Sequence, residues 1–340
     1  MPKKINHVFY EQLNFINMYK AYERASKGKA FRPDVIKFSI DLETNIMNLV
    51  HSIKTKKYQL GTYQIFTIYE PKERIIKSLP FKDRIVHQWF VESFLNTYII
   101  PKFINDTYAC LKNKGTHKAV RKCQKYMRLM KKEYSSYYVL KCDIKKFFYS
   151  INKTILFDIL KKYFKDKDLL EFLKILIFDN EEKGIPIGNY TSQYFANIYL
   201  NELDHYIKEE LRIKYYIRYM DDFILLIPNK EMAKFCFEKI EHFVKDVLDL
   251  ELNQKSKYYK GHLGVDFCGY KIYESHILLR KSSKKKIRKK IKKWNERYQL
   301  GTLNDQKALL SFNSWLGHAK HANSYHLVSK YQKLLDFNLK

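Results

Sequence analysis

The run Tyr219-Met220-Asp221-Asp222 constrains the fold of this chain more than any other stretch. It stands between two apolar runs rich in strand formers, Tyr215-Tyr216-Ile217-Arg218 and Phe223-Ile224-Leu225-Leu226-Ile227, so the local reading is a β-hairpin with two carboxylates at its tip. Adjacent carboxylates repel and raise each other's pKa unless a cation lies between them, and carboxylate oxygens are the hard donors that Mg²⁺ prefers. A plain polar turn is the competing reading, because Asp is common in turns. A third carboxylate decides between them: the apolar run Tyr137-Tyr138-Val139-Leu140-Lys141-Cys142 reads as a buried strand and leads straight into Asp143. With that strand's end beside the hairpin tip, three carboxylates could hold two divalent ions. Such a pair activates an attacking 3′-hydroxyl and stabilises a leaving pyrophosphate.

These residues resemble a known family. Lys141-Cys142-Asp143-Ile144-Lys145-Lys146-Phe147-Phe148 and Tyr219-Met220-Asp221-Asp222 resemble motifs A and C of reverse transcriptases, and Gly184-Ile185-Pro186-Ile187-Gly188-Asn189-Tyr190-Thr191-Ser192-Gln193 resembles motif B. Most relatives read Gln-Gly-x-x-x-Ser-Pro in motif B. Ile187-Gly188-x-x-x-Ser192-Gln193 is similar instead to the form in reverse transcriptases of diversity-generating retroelements, within the superfamily of group II intron and retron enzymes. The resemblance implies an α+β right-hand polymerase with an antiparallel palm sheet and a helical thumb. Its parts would be fingers over 1–130 with an N-terminal helical portion, a palm over 131–275 carrying motifs A to E with some fingers interleaved, and a basic thumb over 276–340. Strand, helix, hairpin and helix in this order also fit an antiparallel sheet with helices on one face.

The family's site residues carry over by position. Asp143, Asp221, Asp222 and Lys255 are the implied catalytic set, the lysine as motif D acid for the departing pyrophosphate. The implied metal positions are Asp143, Ile144, Asp221 and Asp222, for two Mg²⁺ ions or Mn²⁺ in their place. Phe148 takes the steric-gate position beneath the sugar, while Phe147 reads as core. Ile187, Gly188 and Gln193 border the nucleotide, where a glycine lets backbone pass close to the nascent base pair and isoleucine offers only apolar contact. In the motif 2 stretch Asp106 to Ala119, a small-residue turn flanked by Lys112, Lys114 and Lys118 opens a helix at Thr116. Lys112 and Lys114 are the triphosphate candidates and Lys118 a nucleic-acid contact.

Upstream, Phe9, Leu13, Ile16 and Tyr19 to Tyr22 recur at roughly helical spacing. Arg74 to Gln88 reads as a strand turning into a helix after Pro80, with Asp83 near the helix start, where the dipole favours an acid. On that motif 1 stretch Lys77, Arg84 and His87 are either template contacts or solvated groups. Ala196, Leu200, Leu203, Ile207 and Leu211 form the buried stripe of a long helix after motif B, and Lys230 to Leu248 forms an amphipathic one. Gly264 to Leu279 resembles the motif E primer grip, with Gly269 and Tyr270 implied against the primer. From Ser282 to Tyr298 an apolar stripe of Ile287, Ile291, Trp294 and Tyr298 is surrounded by bases, among them Lys285, Lys289 and Lys292, suited to a nucleic-acid backbone. His318 and His321, at i and i+3 on a helix, read as thumb packing or RNA contact.

Charge sets the class of partner. A formal net charge of +28, with 64 Lys plus Arg against 36 Asp plus Glu, calls for a polyanion: nucleic acid first, an anionic membrane surface second. No apolar run of about 18 residues and no signal-peptide core are present, so a soluble cytoplasmic protein without membrane contact is expected. The five cysteines are odd in number and scattered, which suggests neither a disulfide framework nor a zinc site. The resemblance spans roughly 70 to 325 and leaves no room here for an RNase H or endonuclease, so RNA removal and integration are expected from other factors. It further implies template RNA and RNA/DNA duplex, deoxynucleoside triphosphates, a small basic accessory protein and a structured non-coding RNA as partners, with synthesis error-prone opposite adenine. Retron-like or phage-defence reverse transcription, a catalytically silent RNA-binding module and a membrane-surface protein are the competing readings.

Overall fold

The structure, a computed structural model, describes residues 4–69 and 73–336. Four helices come first: α1 (Phe9–Gln12), α2 (Phe15–Ser26), α3 (Pro33–Ser39) and α4 (Leu42–Lys54). Their starts follow local chemistry, since the Asn14 side chain accepts from Asn17 N at 2.9 Å ahead of α2 and Pro33 opens α3. An antiparallel hairpin follows, β1 (Gln64–Ile68) and β2 (Arg74–Ser78). Only its second strand is legible in the sequence, because β1 is exposed on both faces and carries no apolar alternation.

Then come α5 (Phe81–Phe90), α6 (Thr116–Glu133), β3 (Tyr138–Asp143), α7 (Phe147–Ser150), α8 (Lys153–Tyr163), α9 (Lys167–Ile177) and α10 (Tyr190–His205). The hairpin that carries Asp221 and Asp222 is β4 (Tyr216–Tyr219) and β5 (Asp222–Ile227), followed by α11 (Lys230–His242) and β6 (Lys257–Lys260). A small sheet of β7 (Val265–Phe267), β8 (Tyr270–Ile272) and β9 (Ile277–Leu279) leads into α12 (Lys281–Gln299), α13 (Asp305–Ala319) and α14 (Tyr325–Gln332).

The chain gathers into two interleaved compact units. The first holds Met1–Cys110, Asp143–Arg212 and Lys239–Gln254; the second holds Leu111–Cys142, Ile213–Glu238 and Lys255–Lys340. In the first, α5 packs on α2 and on α10, and α10 also lies against α8. Its core is aromatic: Phe9, Trp89, Phe94 and Phe172 meet ring to ring at centroid distances of 5.4 to 6.2 Å. The expected stripe on α10 is buried at Ala196, Leu200 and Leu203.

The second unit is built on the sheet β4-β5-β3-β6, with α6 packed against β4 and β5. Every strand pair with a determined register is antiparallel. Ile287, Ile291, Phe312 and Tyr331 join α12, α13 and α14 through a small core of their own. Among the described residues no helix is long and apolar enough to cross a membrane, and the five cysteines are free thiols.

Candidate active site

In the second unit the hairpin is as short as an antiparallel pair allows. Tyr219 pairs with Asp222, leaving Met220 and Asp221 as a two-residue turn. Met220 sits at φ 57°, a left-handed conformation that a non-glycine residue adopts only where its surroundings hold it. Arg218 supplies one such hold: its side chain is fully buried, and Nη1 donates to the Met220 carbonyl at 3.0 Å. Both aspartates are half-buried at the tip. Asp222 carries a cation, since the Lys141 ammonium donates to its Oδ1 in an ion pair in which each side chain is 25% exposed. Lys141 also lies 6.0 Å from the ring centroid of Phe267 on β7.

Asp143 is the last residue of β3, and strand alternation puts it on the same face as Lys141. In the first unit its carbonyl accepts from Asn253 N at 2.7 Å, Lys145 N donates to the Glu251 carbonyl at 2.9 Å, and buried Ile144 bridges to Leu252. The segment just before Lys255 thus pins the exit of the motif A strand. Lys255 itself stands in the turn before β6. Among the described residues no three His, Cys, Asp or Glu side chains are gathered tightly enough to hold a metal ion. The donors at the hairpin are carboxylates alone, and one already binds an ammonium, so hard-cation chemistry fits them.

The motif B loop belongs to the first unit. Lys77 N on β2 donates to the Ile187 carbonyl at 2.9 Å. Gly188 lies at φ 130°, and a Cβ there would stand 2.5 Å from the Lys77 carbonyl oxygen, so this approach excludes any side chain. Ile187 is half-buried, Gln193 is exposed on α10, and Ser192 Oγ donates back to the Pro186 carbonyl at 2.6 Å. Phe147 is buried and Phe148 is partly exposed, their rings edge to face at 5.7 Å.

The motif 1 residues are engaged within their own unit. Asp83 stands in the first turn of α5, as expected, and is fully buried there: it accepts from Tyr58 Oη at 2.7 Å and Gly61 N at 3.1 Å, and burial pushes its pKa up. His87 is neither a template contact nor solvated. It is buried, with Nδ1 at 2.8 Å from Thr191 Oγ1, and desolvation brings its pKa down to about 3. Arg84 is engaged within its unit, its Nε on the Leu79 carbonyl at 2.8 Å and its Nη2 on Asp34 at 3.1 Å.

In the second unit Lys112 and Lys118 are exposed and Lys114 is half-buried around the turn that opens α6, where Gly115 takes φ 111° and Lys118 Nζ donates to the Asn113 carbonyl. Gly269 is at φ 87°, whereas the neighbouring Tyr270 ring is buried with its hydroxyl on the His318 carbonyl at 2.8 Å. The expectation of a primer contact through the Tyr270 side chain therefore gives way to packing. α13 ends at Ala319, so His318 is helical while His321 lies beyond the helix end, stacked on His117 at 3.4 Å. Lys285, Lys289 and Lys292 are exposed along one side of α12. Sequence reading assigned no role to Lys141 or Arg218, whose partners become visible only once the sheet is assembled.

Set against known proteins, residues 56–272 match the family described as Reverse transcriptase (RNA-dependent DNA polymerase). The chain is similar to the Putative COX1/OXI3 intron 2 protein of Saccharomyces cerevisiae, 23% identical over 305 residues that cover 69% of this chain and 34% of that protein. Apo telomerase from Candida tropicalis superposes with a TM-score of 0.51 at 12% identity, covering 83% of this chain and 59% of that one. That likeness shows a shared fold of mixed helices and antiparallel sheet. The chain spans about a third of the curated relative and 59% of the telomerase chain.

Proposed function

Because this chain belongs to the reverse transcriptase (RNA-dependent DNA polymerase) family, we propose that it copies RNA into DNA with Asp143, Asp221 and Asp222 as its catalytic carboxylates. The observation that carries this reading is the hairpin: a two-residue turn on a buried sheet, with adjacent aspartates at its tip and a cation already held by one of them. Reverse transcriptases use divalent metal ions. When bound, two Mg²⁺ ions, or Mn²⁺ in their place, would acidify the primer 3′-hydroxyl and neutralise charge on the leaving pyrophosphate.

The chain's own residues do the rest. Arg218 keeps the turn, and so the direction of both carboxylates, from relaxing. Lys112 and Lys114, beside the unsatisfied N–H groups at the start of α6, receive the triphosphate. Phe148 blocks a 2′-hydroxyl by volume, Gly188 leaves backbone alone beside the nascent pair, and Lys255 gives a proton to pyrophosphate as it departs. Lys118, the Gly269 backbone and Lys285, Lys289 and Lys292 carry the template-primer duplex, with Arg84 bracing the fingers. In this reading fingers, palm and thumb occupy 1–130, 131–275 and 276–340.

Ile187 supports the diversity-generating subtype. An apolar side chain there cannot orient the incoming nucleotide by a hydrogen bond, a loss on the order of 1 kcal/mol that favours misincorporation. A cognate structured RNA and a small basic accessory protein complete this proposal. The test is primer extension on a defined RNA template with Mg²⁺ and all four deoxynucleotides, beside an Asp221→Ala/Asp222→Ala control, with products sequenced. Full-length cDNA with errors concentrated opposite adenine supports the subtype. Accurate or untemplated product favours a retron-like or defence role, and RNA binding without synthesis by the intact chain would sink the polymerase reading.

A further inference from the structure

Lys153 opens α8, yet its side chain is only 1% exposed. A buried ammonium costs several kcal/mol of desolvation unless it is fully paired, so its partners identify what the burial achieves. Nζ donates to Asp179 Oδ1 and, at 2.7 Å, to the Glu181 carbonyl. Asp179 Oδ1 accepts in addition from Glu181 N at 2.8 Å. Burial pushes the Asp179 carboxyl up, but the Lys153 ammonium and the Glu181 N–H outweigh it and hold the group below its ordinary value. Both partners lie on the loop between α9 and α10 that ends in Ile187 and Gly188.

The same loop is stitched to the segment that leaves the motif A strand. Gly184 N donates to the Ile151 carbonyl at 2.7 Å, Ile185 N to the Phe148 carbonyl at 2.8 Å and Lys153 N to the Glu182 carbonyl at 3.3 Å. Gly184 sits at φ 89°, where an added Cβ would stand 3.2 Å from the Tyr149 carbonyl oxygen. Between Tyr149, Lys77 and Ile187 lies a cavity of about 330 Å³ that Lys153 and Asp179 also line. Side-chain packing is therefore thin on that side, and polar bonds set where the loop lies.

We propose that Lys153 is a positioning residue for sugar selection. Its clasp on Asp179 and Glu181 fixes the loop whose Ile185 N–H holds the Phe148 carbonyl, and so sets where the Phe148 ring stands. This rests on the reading of Phe148 as the steric gate. A gate that discriminates by volume works only while its ring stays in place, and displacement of about 1 Å is enough to change rates by two orders of magnitude.

The experiment measures kcat/KM for a deoxynucleotide and for the matching ribonucleotide with the full chain and its Phe148→Ala, Lys153→Met, Lys153→Arg and Asp179→Ala variants. Phe148→Ala, the reference for the gate, should lower discrimination by about 100-fold. Lys153→Met and Asp179→Ala should each lower it by about 10-fold, mainly through a raised kcat/KM for the ribonucleotide, while Lys153→Arg, which can reach both acceptors, restores most of it. Unchanged discrimination in Lys153→Met and Asp179→Ala beside a lowered value in Phe148→Ala overturns the positioning role and leaves the gate intact. Unchanged discrimination in Phe148→Ala overturns the gate reading itself, and this inference with it. The double variant Lys153→Met/Asp179→Ala leaves no buried ammonium unpaired, so it supplies the measurement if a single variant fails to fold.

Discussion

The turn at Met220 and Asp221 and the loop from Asp179 to Gly188 both hold groups where the proposed chemistry needs them, carboxylates on one and backbone on the other, and they are held by opposite means. The turn is the shortest possible connection between two strands buried on both faces at Tyr216, Ile217, Phe223, Ile224 and Leu225, and Arg218 secures it from two positions away. The loop has no strand on either side. It depends on hydrogen bonds to Phe148, Ile151 and Lys77, on a buried lysine, and on glycines that admit neighbouring backbone. Short-range restraint suits carboxylates that must not move under charge. Long-range restraint suits a wall whose spacing sets which nucleotide fits, because it can be retuned without touching the carboxylates.

The sharpest break in this comparison comes from the turn. Asp221→Asn keeps the shape and removes the charge, so single-turnover extension should fall by about 1,000-fold while the melting temperature holds or rises slightly as repulsion with Asp222 is relieved. A variant with near-normal rates would show that the turn is structural. On the loop, Gly188→Ala places a Cβ against the Lys77 carbonyl oxygen in a conformation that L side chains rarely adopt. Strain of about 1–3 kcal/mol should appear as a 10- to 100-fold lower extension rate with wild-type binding of primer-template. Full activity would mean that β2 and the loop part readily in solution.

The same contrast explains what could be read without coordinates. The hairpin, the buried strand ending in Asp143 and the long helix after motif B are written in local periodicity, and residues 56–272 carry the family pattern. Polar residues whose partners are distant in sequence were not legible. Lys141 and Asp222 are 81 positions apart, and Lys153 and Asp179 are 26 apart. Lys141 and Lys153 each read as an ordinary surface lysine until the fold brings the partner to it. His87 and Tyr270 were hidden in the same way, since a motif 1 histidine and a primer-grip aromatic look no different in sequence from buried hydrogen-bonding residues.

A smaller effect should sharpen the loop's side of the comparison. Ile187→Gln restores a hydrogen-bonding group at a half-buried position, and a bond on the order of 1 kcal/mol corresponds to about fivefold. Misincorporation opposite template adenine should drop by that factor in sequenced products, with the extension rate nearly unchanged. An unchanged error spectrum would remove Ile187 from the account of fidelity.

The smallest effect tests the anchor beneath the loop. His87 joins α5 to the start of α10 through Thr191, and its Nε2 meets no hydrogen-bond partner among the described residues, so a proton on the ring would be buried without compensation. Folded, the ring takes a proton only near pH 3; in the unfolded chain it does so near 6.5. The unfolded state therefore binds the extra proton first, and the stability His87 contributes is complete above about pH 6.5 and lost as the pH falls towards 3. Between pH 7 and 6 this amounts to only about 0.7 kcal/mol, measurable by urea titration at the two values. His87→Phe, which removes the titrating group but fills the space, should flatten that difference even if it lowers stability throughout. A variant that keeps the wild-type slope would place the titration on another residue and leave the α5–α10 joint insensitive to acid.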